Sequence, residues 1–161
     1  RLATALDLEP MAAMRELAWH ESYGELVPED VLDWLDARRT RTVETWREML
    51  LDGTHFWIAT EGEQIVGLAQ ASPSADDDID VLLEINMLYV RQPYKGSGLA
   101  DALLKTTIGD ADAYAWVLEN NARAISFYAR HGFIPEKVRR DVPNMPPTVR
   151  EQRLVRRSVQ E

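Results

Sequence analysis

The strongest constraint on the fold is a turn with two glycines and a lysine, in the segment PYKGSGLADALL at residues 93–104. The residues after the turn have helical character, and the segment EINMLYV at residues 84–90 is typical of a strand. A strand, a glycine turn and a helix start in direct succession predict a sheet with a helix N-terminus beside it. The first backbone N–H groups of such a helix have no partner within the helix and are free to bind a ligand.

Two phosphate-binding motifs do not fit this turn. A P-loop requires a lysine followed by Ser or Thr after the last glycine, whereas Lys95 precedes both glycines. A dinucleotide fingerprint would continue Gly96-x-Gly98 with a third glycine, but Asp101 occupies that position. The P-loop is therefore excluded, and the dinucleotide motif is poorly matched.

A third interpretation is a pyrophosphate-binding turn at the helix N-terminus. Gly96 and Gly98 allow the backbone to approach phosphate oxygens closely, and Lys95 adds a positive charge to that of the helix dipole. The alternative is an ordinary glycine-rich turn with a solvated lysine, because glycine is the usual residue in such turns. The turn by itself leaves both interpretations open.

Helical segments come first in the chain, a hairpin follows, and strands and helices then alternate. Apolar spacing and start signals predict helices at 8–19, from 28 and at 42–51, with a loop at 20–28. Residues 54–60 and 64–72 are predicted as a β-hairpin. After the glycine turn we expect a helix to 108, a strand at 113–118, a helix at 122–131 and closing strands at 133–140 and 148–157. This order predicts an α+β fold with a mixed sheet, in one domain spanning 1–161.

Charge and cysteine content limit the function classes. The formal net charge is -9, which repels nucleic acid and anionic membranes and favours cationic small molecules or basic peptides as partners. The sequence has no cysteine, which excludes disulfides, thiolate metal sites and a cysteine nucleophile, and which fits a cytoplasmic location. Because the net charge is negative, an anionic ligand must be held by local groups that overcome the repulsion of the protein's overall field.

A second informative segment, ENNARAISFYARHGF, covers residues 119–133. Asn121 and Tyr128 are seven residues apart, so both project from one stripe of the predicted helix. Asn121 lies at the helix start, where capping is the simple explanation. Tyr128 beside Phe127 would ordinarily be a half-buried core aromatic.

Together the two segments resemble the Gcn5-related N-acetyltransferase (GNAT) family. In that family a strand is followed by Arg or Gln, two residues, Gly, one residue, then Gly or Ala. Lys95-Gly96-Ser97-Gly98-Leu99-Ala100 has this pattern, with lysine in the first place. The later family pattern is matched by Asn121, Ala124, Phe127, Tyr128, Gly132 and Phe133. The resemblance implies a mixed, mostly antiparallel sheet of about six to seven strands flanked by helices.

The resemblance also implies that acetyl-CoA is the cofactor and that its pyrophosphate binds the turn. The implied pyrophosphate-binding residues are Lys95, Gly96, Ser97, Gly98, Leu99 and Ala100, with Asn121 as a further cofactor residue. The pantetheine arm would pair with main-chain groups of Leu88, Tyr89 and Val90. Homodimers are common in such families, and the resemblance allows one here.

Direct transfer in a ternary complex is the expected route, because the chain has no cysteine to carry the acetyl group. By resemblance, Tyr128 donates a proton to the leaving thiolate, a reaction available to a phenol. Glu84 is the candidate base, directly or through water, and we expect the water route because about 13 Å of strand separates it from Leu88. The alternatives for Glu84 are binding of a cationic substrate or simple solvation.

The acceptor pocket of family members corresponds to the region of Trp19, Glu21 and Tyr23, which we interpret as substrate-binding residues. A tryptophan at such helical spacing is more often a core residue, which is the alternative for Trp19. The acidic loop at 73–80 is interpreted either as attracting a polyamine or as an ordinary solvated loop. Three histidines lack ligand spacing, so no metal site is predicted.

The predicted function is acetyl transfer from acetyl-CoA to a primary amine of a small molecule or peptide. One alternative is a protein N-terminal or lysine acetyltransferase. Another is an acyl-CoA-binding sensor without turnover, against which the presence of Tyr128 beside Asn121 argues.

Overall fold

The computed structural model of the protein describes residues 1–142, 145 and 149–157. Its helices are α1 (Leu8–Tyr23), α2 (Glu29–Asp36), α3 (Arg39–Leu51), α4 (Leu99–Ile108) and α5 (Ala122–Arg130). Its strands are β1 (Trp57–Glu61), β2 (Gln64–Pro73), β3 (Leu83–Val90), β4 (Ala113–Leu118), β5 (Ile134–Asp141) and β6 (Arg150–Arg156). Short 3-10 turns occur at Ala5–Asp7 and Gln92–Tyr94.

The strands form one sheet in the order β1-β2-β3-β4-β6-β5. β3 is parallel to β4, whereas β1 is antiparallel to β2, and β6 is antiparallel to both β4 and β5. Arg91 N donates to Val66 O and Ser74 N donates to Leu82 O, so β2 and β3 also run in opposite directions. The predicted α+β fold with a mixed, mostly antiparallel sheet is therefore confirmed, with six strands in the described part of the chain.

Contacts divide the chain into two compact units. The first comprises Arg1–Ala71 and Met87–Thr107, and the second comprises Ser72–Asn86 and Ile108–Glu161. β3 contributes its first residues to the second unit and its last residues to the first. The expectation of a single domain stays a prediction.

In the first unit, apolar side chains of α1 and α3 pack on one face of β1 and β2, and we call this group the α1–α3 cluster. Met87 and Tyr89 of β3 pack against it. Its buried members are Leu8, Met11, Ala12, Met14, Ala18, Val43, Trp46, Phe56, Ile58, Ile65 and Leu68.

Leu103 of α4 packs with Ala69 and Val90 in a separate cluster of the first unit. Gly67 allows this close packing, because a Cβ atom at Gly67 would lie 2.8 Å from Leu103 Cδ1. Steric room on β2 thus sets the position of α4, which begins directly after the glycine turn.

In the second unit, Arg153 of β6 holds the acidic loop between β2 and β3. Its guanidinium lies 3.0 Å from Asp76, 2.6 Å from Asp78 and 2.8 Å from Glu136, and only 3% of its side chain is exposed. Trp116 Nε1 also donates to Asp76 at 3.1 Å. Asp76 and Asp78 are therefore paired with internal groups, whereas the carboxylates of Asp77, Asp78 and Asp80 remain exposed to solvent.

Several boundaries differ from the sequence-based prediction. α3 begins at Arg39 rather than at 42. α1 continues to Tyr23 rather than ending at 19, because the rings of Trp19 and Tyr23 pack one turn apart with centroids separated by 4.3 Å. β1 begins at Trp57 rather than at 54. The last strand was expected from 148, which lies outside the described residues, and β6 begins at Arg150.

In the described ranges, no helix combines the length and the apolar character that crossing a membrane would require.

We expect Arg153→Met to lower the free energy of unfolding by about 3 kcal/mol, because Asp76 and Glu136 lose a buried cationic partner. Urea denaturation followed by circular dichroism measures the change. Arg157→Met is the matched control, since half-exposed Arg157 pairs with Asp80 and Glu136 at the surface and should cost less than about 1 kcal/mol. Equal losses for both variants would contradict the role given to Arg153.

Candidate active site

The glycine turn, residues 95–100, has a backbone shape that only glycine adopts readily. Gly96 and Gly98 have φ angles of +83° and +88°. A Cβ atom built at either glycine would meet no atom of the protein within 4 Å. The space next to both glycines is therefore open, and a ligand can approach the backbone there.

The first turn of α4 begins directly at this open backbone. Ala102 N donates to Gly98 O at 3.0 Å, which makes Gly98 the residue that precedes the helix. Ser97 Oγ donates to Tyr94 O at 2.6 Å and accepts weakly from Leu99 N at 3.4 Å, which fixes the turn locally. The helix dipole and the N–H groups of the first turn give this end of α4 an affinity for anions.

Glu21 of α1 anchors the segment that leads from β3 to the glycine turn. Its carboxylate accepts hydrogen bonds from Arg91 Nε at 3.0 Å and 3.1 Å and from Gln92 N at 2.7 Å. Burial alone would raise the pKa of Glu21, but the hydrogen bonds from Arg91 and Gln92 lower that pKa overall. The carboxylate therefore stays charged and holds the end of β3 in place.

The C-terminal end of α1 also orients Lys95, because Lys95 Nζ donates to Ser22 Oγ at 2.9 Å. Its positive charge contributes to lowering the pKa of Glu21, after the larger effects of burial, Arg91 and Gln92. The predicted phosphate-binding lysine thus lies within reach of α1, and its contact with phosphate stays a prediction.

The main chain of β3 pairs with β4 over only part of its length. β3 pairs with β4 only from Leu83↔Ala113 to Ile85↔Ala115, although β3 itself continues to Val90. On that side, the register does not include Leu88, Tyr89 or Val90, the residues predicted to pair with pantetheine. Strand backbone without a neighbour is suited to binding an extended chain as an added strand.

Glu84 lies at the start of β3 and is buried, with 8% of its surface exposed. Its Oε2 accepts a hydrogen bond from the Tyr114 hydroxyl at 2.9 Å. The same hydroxyl accepts from Ser74 Oγ at 3.3 Å and from Ala75 N at 3.2 Å. Burial is the main reason that the pKa of Tyr114 is raised, so this phenol remains a donor to the carboxylate. The structure thus rules out simple solvation of Glu84, and its role as a base stays a prediction.

Asn121 and Tyr128 occupy one helix of the second unit. Asn121 Oδ1 accepts from Ala124 N at 3.0 Å, so the side-chain oxygen caps α5. Tyr128 is buried between Phe127 and Phe133, with ring centroids 5.3 Å and 5.1 Å away. The capping and packing interpretations are therefore both realised, and binding of cofactor by Asn121 and proton donation by Tyr128 stay predictions.

The three residues predicted to bind the acceptor do not form one group. The rings of Trp19 and Tyr23 pack together, and Trp19 is 9% exposed. Glu21 instead binds Arg91 and Gln92. Binding of an acceptor by these three residues stays a prediction.

Sequence reasoning did not single out three residues that hydrogen-bond to predicted site residues: Ser22, Arg91 and Tyr114. Their partners are distant in sequence, and no local pattern signals such pairs. In the region that the structure describes, no cluster of three or more His, Cys, Asp or Glu side chains could hold a metal ion.

The family model for the acetyltransferase (GNAT) domain matches residues 52–135, just over half of the chain. The chain belongs to the GNAT family. This GNAT protein is accordingly an acetyl-CoA-dependent N-acetyltransferase, and the predicted enzyme class is confirmed.

Among relatives, a probable N-acetyltransferase of Mycobacterium tuberculosis is 28% identical over 138 residues, which cover 83% of this chain and 78% of that protein. An uncharacterized N-acetyltransferase of Bacillus subtilis is 24% identical, over 88% of this chain and 82% of that protein. The PaiA N-acetyltransferase of Thermoplasma acidophilum, solved in complex with coenzyme A, has a TM-score of 0.71 at 16% identity and covers 97% of this chain and 96% of its own. This likeness supports the fold.

The residues of the glycine turn fit acetyl-CoA. The open space at Gly96 and Gly98 admits phosphate oxygens, the N-terminus of α4 supplies N–H donors, and Lys95 supplies a positive charge. Lysine in place of Arg or Gln keeps this attraction but gives up the planar, two-pronged hydrogen bonding of arginine.

We expect Glu21→Gln to lower the free energy of unfolding at pH 7 by about 1 kcal/mol, through loss of the charge that binds Arg91. The pKa of Glu21 is lowered in the folded state, so its contribution is fully present above the ordinary value of 4.5 and is lost progressively as the pH falls from that value through the lowered pKa of the folded state. Urea denaturation at pH 7 and pH 3.5 should therefore show a larger difference between the variant and the wild type at pH 7 than at pH 3.5.

Glu63→Gln controls for the loss of one negative charge, because Glu63 is exposed in the β1–β2 turn. A stability difference for Glu21→Gln that is the same at both pH values would refute the ionic role of Glu21.

Proposed function

We propose that this N-acetyltransferase transfers acetyl directly to a primary amine of a small molecule or peptide, in a ternary complex. The observation that carries the proposal is the pairing of β3 with β4 over only Leu83–Ile85, just before an open anion-binding turn. These two features match the two parts of a CoA molecule, an extended arm and a pyrophosphate. A chain without cysteine has no thiol to carry the acetyl group, which supports direct transfer.

Bound acetyl-CoA would supply an acetyl group activated as a thioester. In the proposal, the N–H groups from Gly96 to Ala100 and the charge of Lys95 bind the pyrophosphate. The backbone of Leu88, Tyr89 and Val90 orients the arm through strand-type hydrogen bonds. Both sets of contacts belong to the first unit, so one unit fixes the direction in which the thioester points.

Proton movements are assigned to two side chains. The amine has to lose a proton to become nucleophilic, because a free alkylamine has a pKa of about 10.4. Glu84 takes this proton through water, and its orientation is supported by the hydrogen bond from Tyr114 at 2.9 Å. Tyr128 gives a proton to the thiolate that leaves.

We expect Gly98→Ala to weaken binding of CoA at least tenfold. The Cβ atom meets nothing in the protein within 4 Å, so a loss of affinity beyond the backbone strain must come from contact with CoA itself. Isothermal titration calorimetry with CoA measures the effect.

Gly53→Ala is a closely matched control, because Gly53 has a φ of +87° and equally open surroundings. Both variants should lose about 1 kcal/mol of stability from the left-handed backbone. If Gly53→Ala weakens CoA binding as much as Gly98→Ala does, the turn has no special role in binding the pyrophosphate.

We expect Tyr128→Phe to lower kcat about a hundredfold or more while the Kd for CoA changes less than threefold, because only the proton donor is lost. Release of free thiol from acetyl-CoA measures turnover, with polyamines, aminoglycosides, amino acids and short peptides as acceptors. A variant with unchanged kcat on the best acceptor would exclude Tyr128 as the donor.

The same panel of amines tests the proposed acceptor. Turnover with one class of small amine or peptide supports the proposal. Turnover only with folded proteins would replace it by protein N-terminal or lysine acetylation. CoA binding without turnover on any amine would favour a sensor.

A further inference from the structure

Gln70 of β2 is a buried amide that the described residues leave unpaired. It is 0% exposed, and neither its Nε2 nor its Oε1 has a hydrogen-bond partner among the residues that the structure describes. A buried amide of this kind destabilises the folded protein relative to a satisfied one, whereas an apolar residue of the same shape would avoid that cost. An unsatisfied buried group in a native protein calls for a ligand or a trapped water.

Two contacts between β2 and β3 locate Gln70. Arg91 N donates to Val66 O at 3.0 Å, and Ser72 Oγ donates to Asn86 Oδ1 at 2.8 Å. The backbone contact sets the register, and counting inward from it along antiparallel strands places Gln70 opposite Met87. Gln70 thus lies beside the part of β3 whose backbone, in the proposed function, orients the arm of acetyl-CoA.

Side chains alternate between the two faces along a strand, which shows on which face of the sheet Gln70 lies. Leu68, two residues before Gln70, belongs to the α1–α3 cluster, and Met87 and Tyr89 of β3 pack against the same cluster. Gln70 therefore faces the side of the sheet covered by α1.

A second unpartnered polar atom of the first unit lies on α1. Trp19 Nε1 is buried and has no hydrogen-bond partner in the described part of the chain. Two buried side chains of the first unit, one on β2 and one on α1, thus have hydrogen-bonding groups that no described protein group uses.

We propose that Gln70 binds the acceptor, and that the acceptor is an amine carrying an amide group close to its amino nitrogen. The inference rests on the proposed function. A carboxamide has an NH₂ group that donates and an oxygen that accepts, and another amide can pair with both at once through two parallel hydrogen bonds. A protonated polyamine has donors only and would leave Nε2 of Gln70 without a partner.

The test compares two amines that differ in the amide alone, glycinamide and ethylamine, each corrected for its neutral fraction. With wild-type protein we expect kcat/KM to be at least tenfold higher for glycinamide. With Gln70→Met we expect a ten- to hundredfold loss for glycinamide, less than a threefold loss for ethylamine, and an unchanged Kd for CoA. Glycylglycinamide in a third arm distinguishes a peptide acceptor, which turns over faster than glycinamide, from a free amino-acid amide.

Thermal stability separates this role from a structural one. Gln70→Met removes the unsatisfied amide, so we expect its Tm to equal or exceed that of the wild type. Gln64→Met, on the exposed start of the same strand, is the matched control and should leave both kinetics and Tm unchanged.

A lower Tm with equal kinetic losses for both amines would overturn the inference, because Gln70 would then hold the core or a buried water. Unchanged kcat/KM for glycinamide would overturn it as well. Wild-type turnover of ethylamine without any preference for glycinamide refutes the inference alone and leaves the proposed function intact. If neither amine reacts, the proposed function fails for small amines. If, in addition, calorimetry detects no binding of glycinamide to the complex of protein and CoA, the inference is refuted as well.

Discussion

The partial pairing of β3 is the constraint on which the account of this enzyme depends. β3 extends from Leu83 to Val90, but its register with β4 ends at Ile85. Full pairing would use the backbone groups of the strand within the sheet and leave nothing for an extended ligand. Because the pairing stops early, the strand can both belong to the sheet and orient a cofactor arm toward the turn that follows it.

Local electrostatics explains how an acidic protein can bind an anionic cofactor. The chain has a net charge of -9, so its overall field opposes CoA. The N-terminus of α4 and Lys95 supply positive potential at short range, where the overall field matters less. Glu21 lies close by, but its charge is matched by Arg91, so it anchors the turn without repelling phosphate strongly. In the acidic loop, the negative charges of Asp76 and Asp78 are likewise matched by a positive one, that of Arg153.

The parts of the structure that the sequence could predict are those with a local cause. The strand, the glycine turn and the helix after it follow from residue type and spacing, as does the Asn121 cap of α5. The end of α1 was predicted too early, because the packing of Trp19 on Tyr23 carries the helix onward. The bond between Tyr114 and Glu84 joins residues 30 positions apart, and the burial of Gln70 depends on the whole first unit. No local sequence pattern predicts such contacts, since they form only once the chain has folded.

The most direct test of this account is a titration of 15N-labelled protein with CoA, followed by the shifts of backbone amides. The largest changes should fall on the amides of the glycine turn, from Gly96 to Ala100, together with those of Leu88 and Val90. Amides of the α1–α3 cluster should move little. Large shifts confined to other parts of the chain, with the glycine turn and the end of β3 unaffected, would contradict the account.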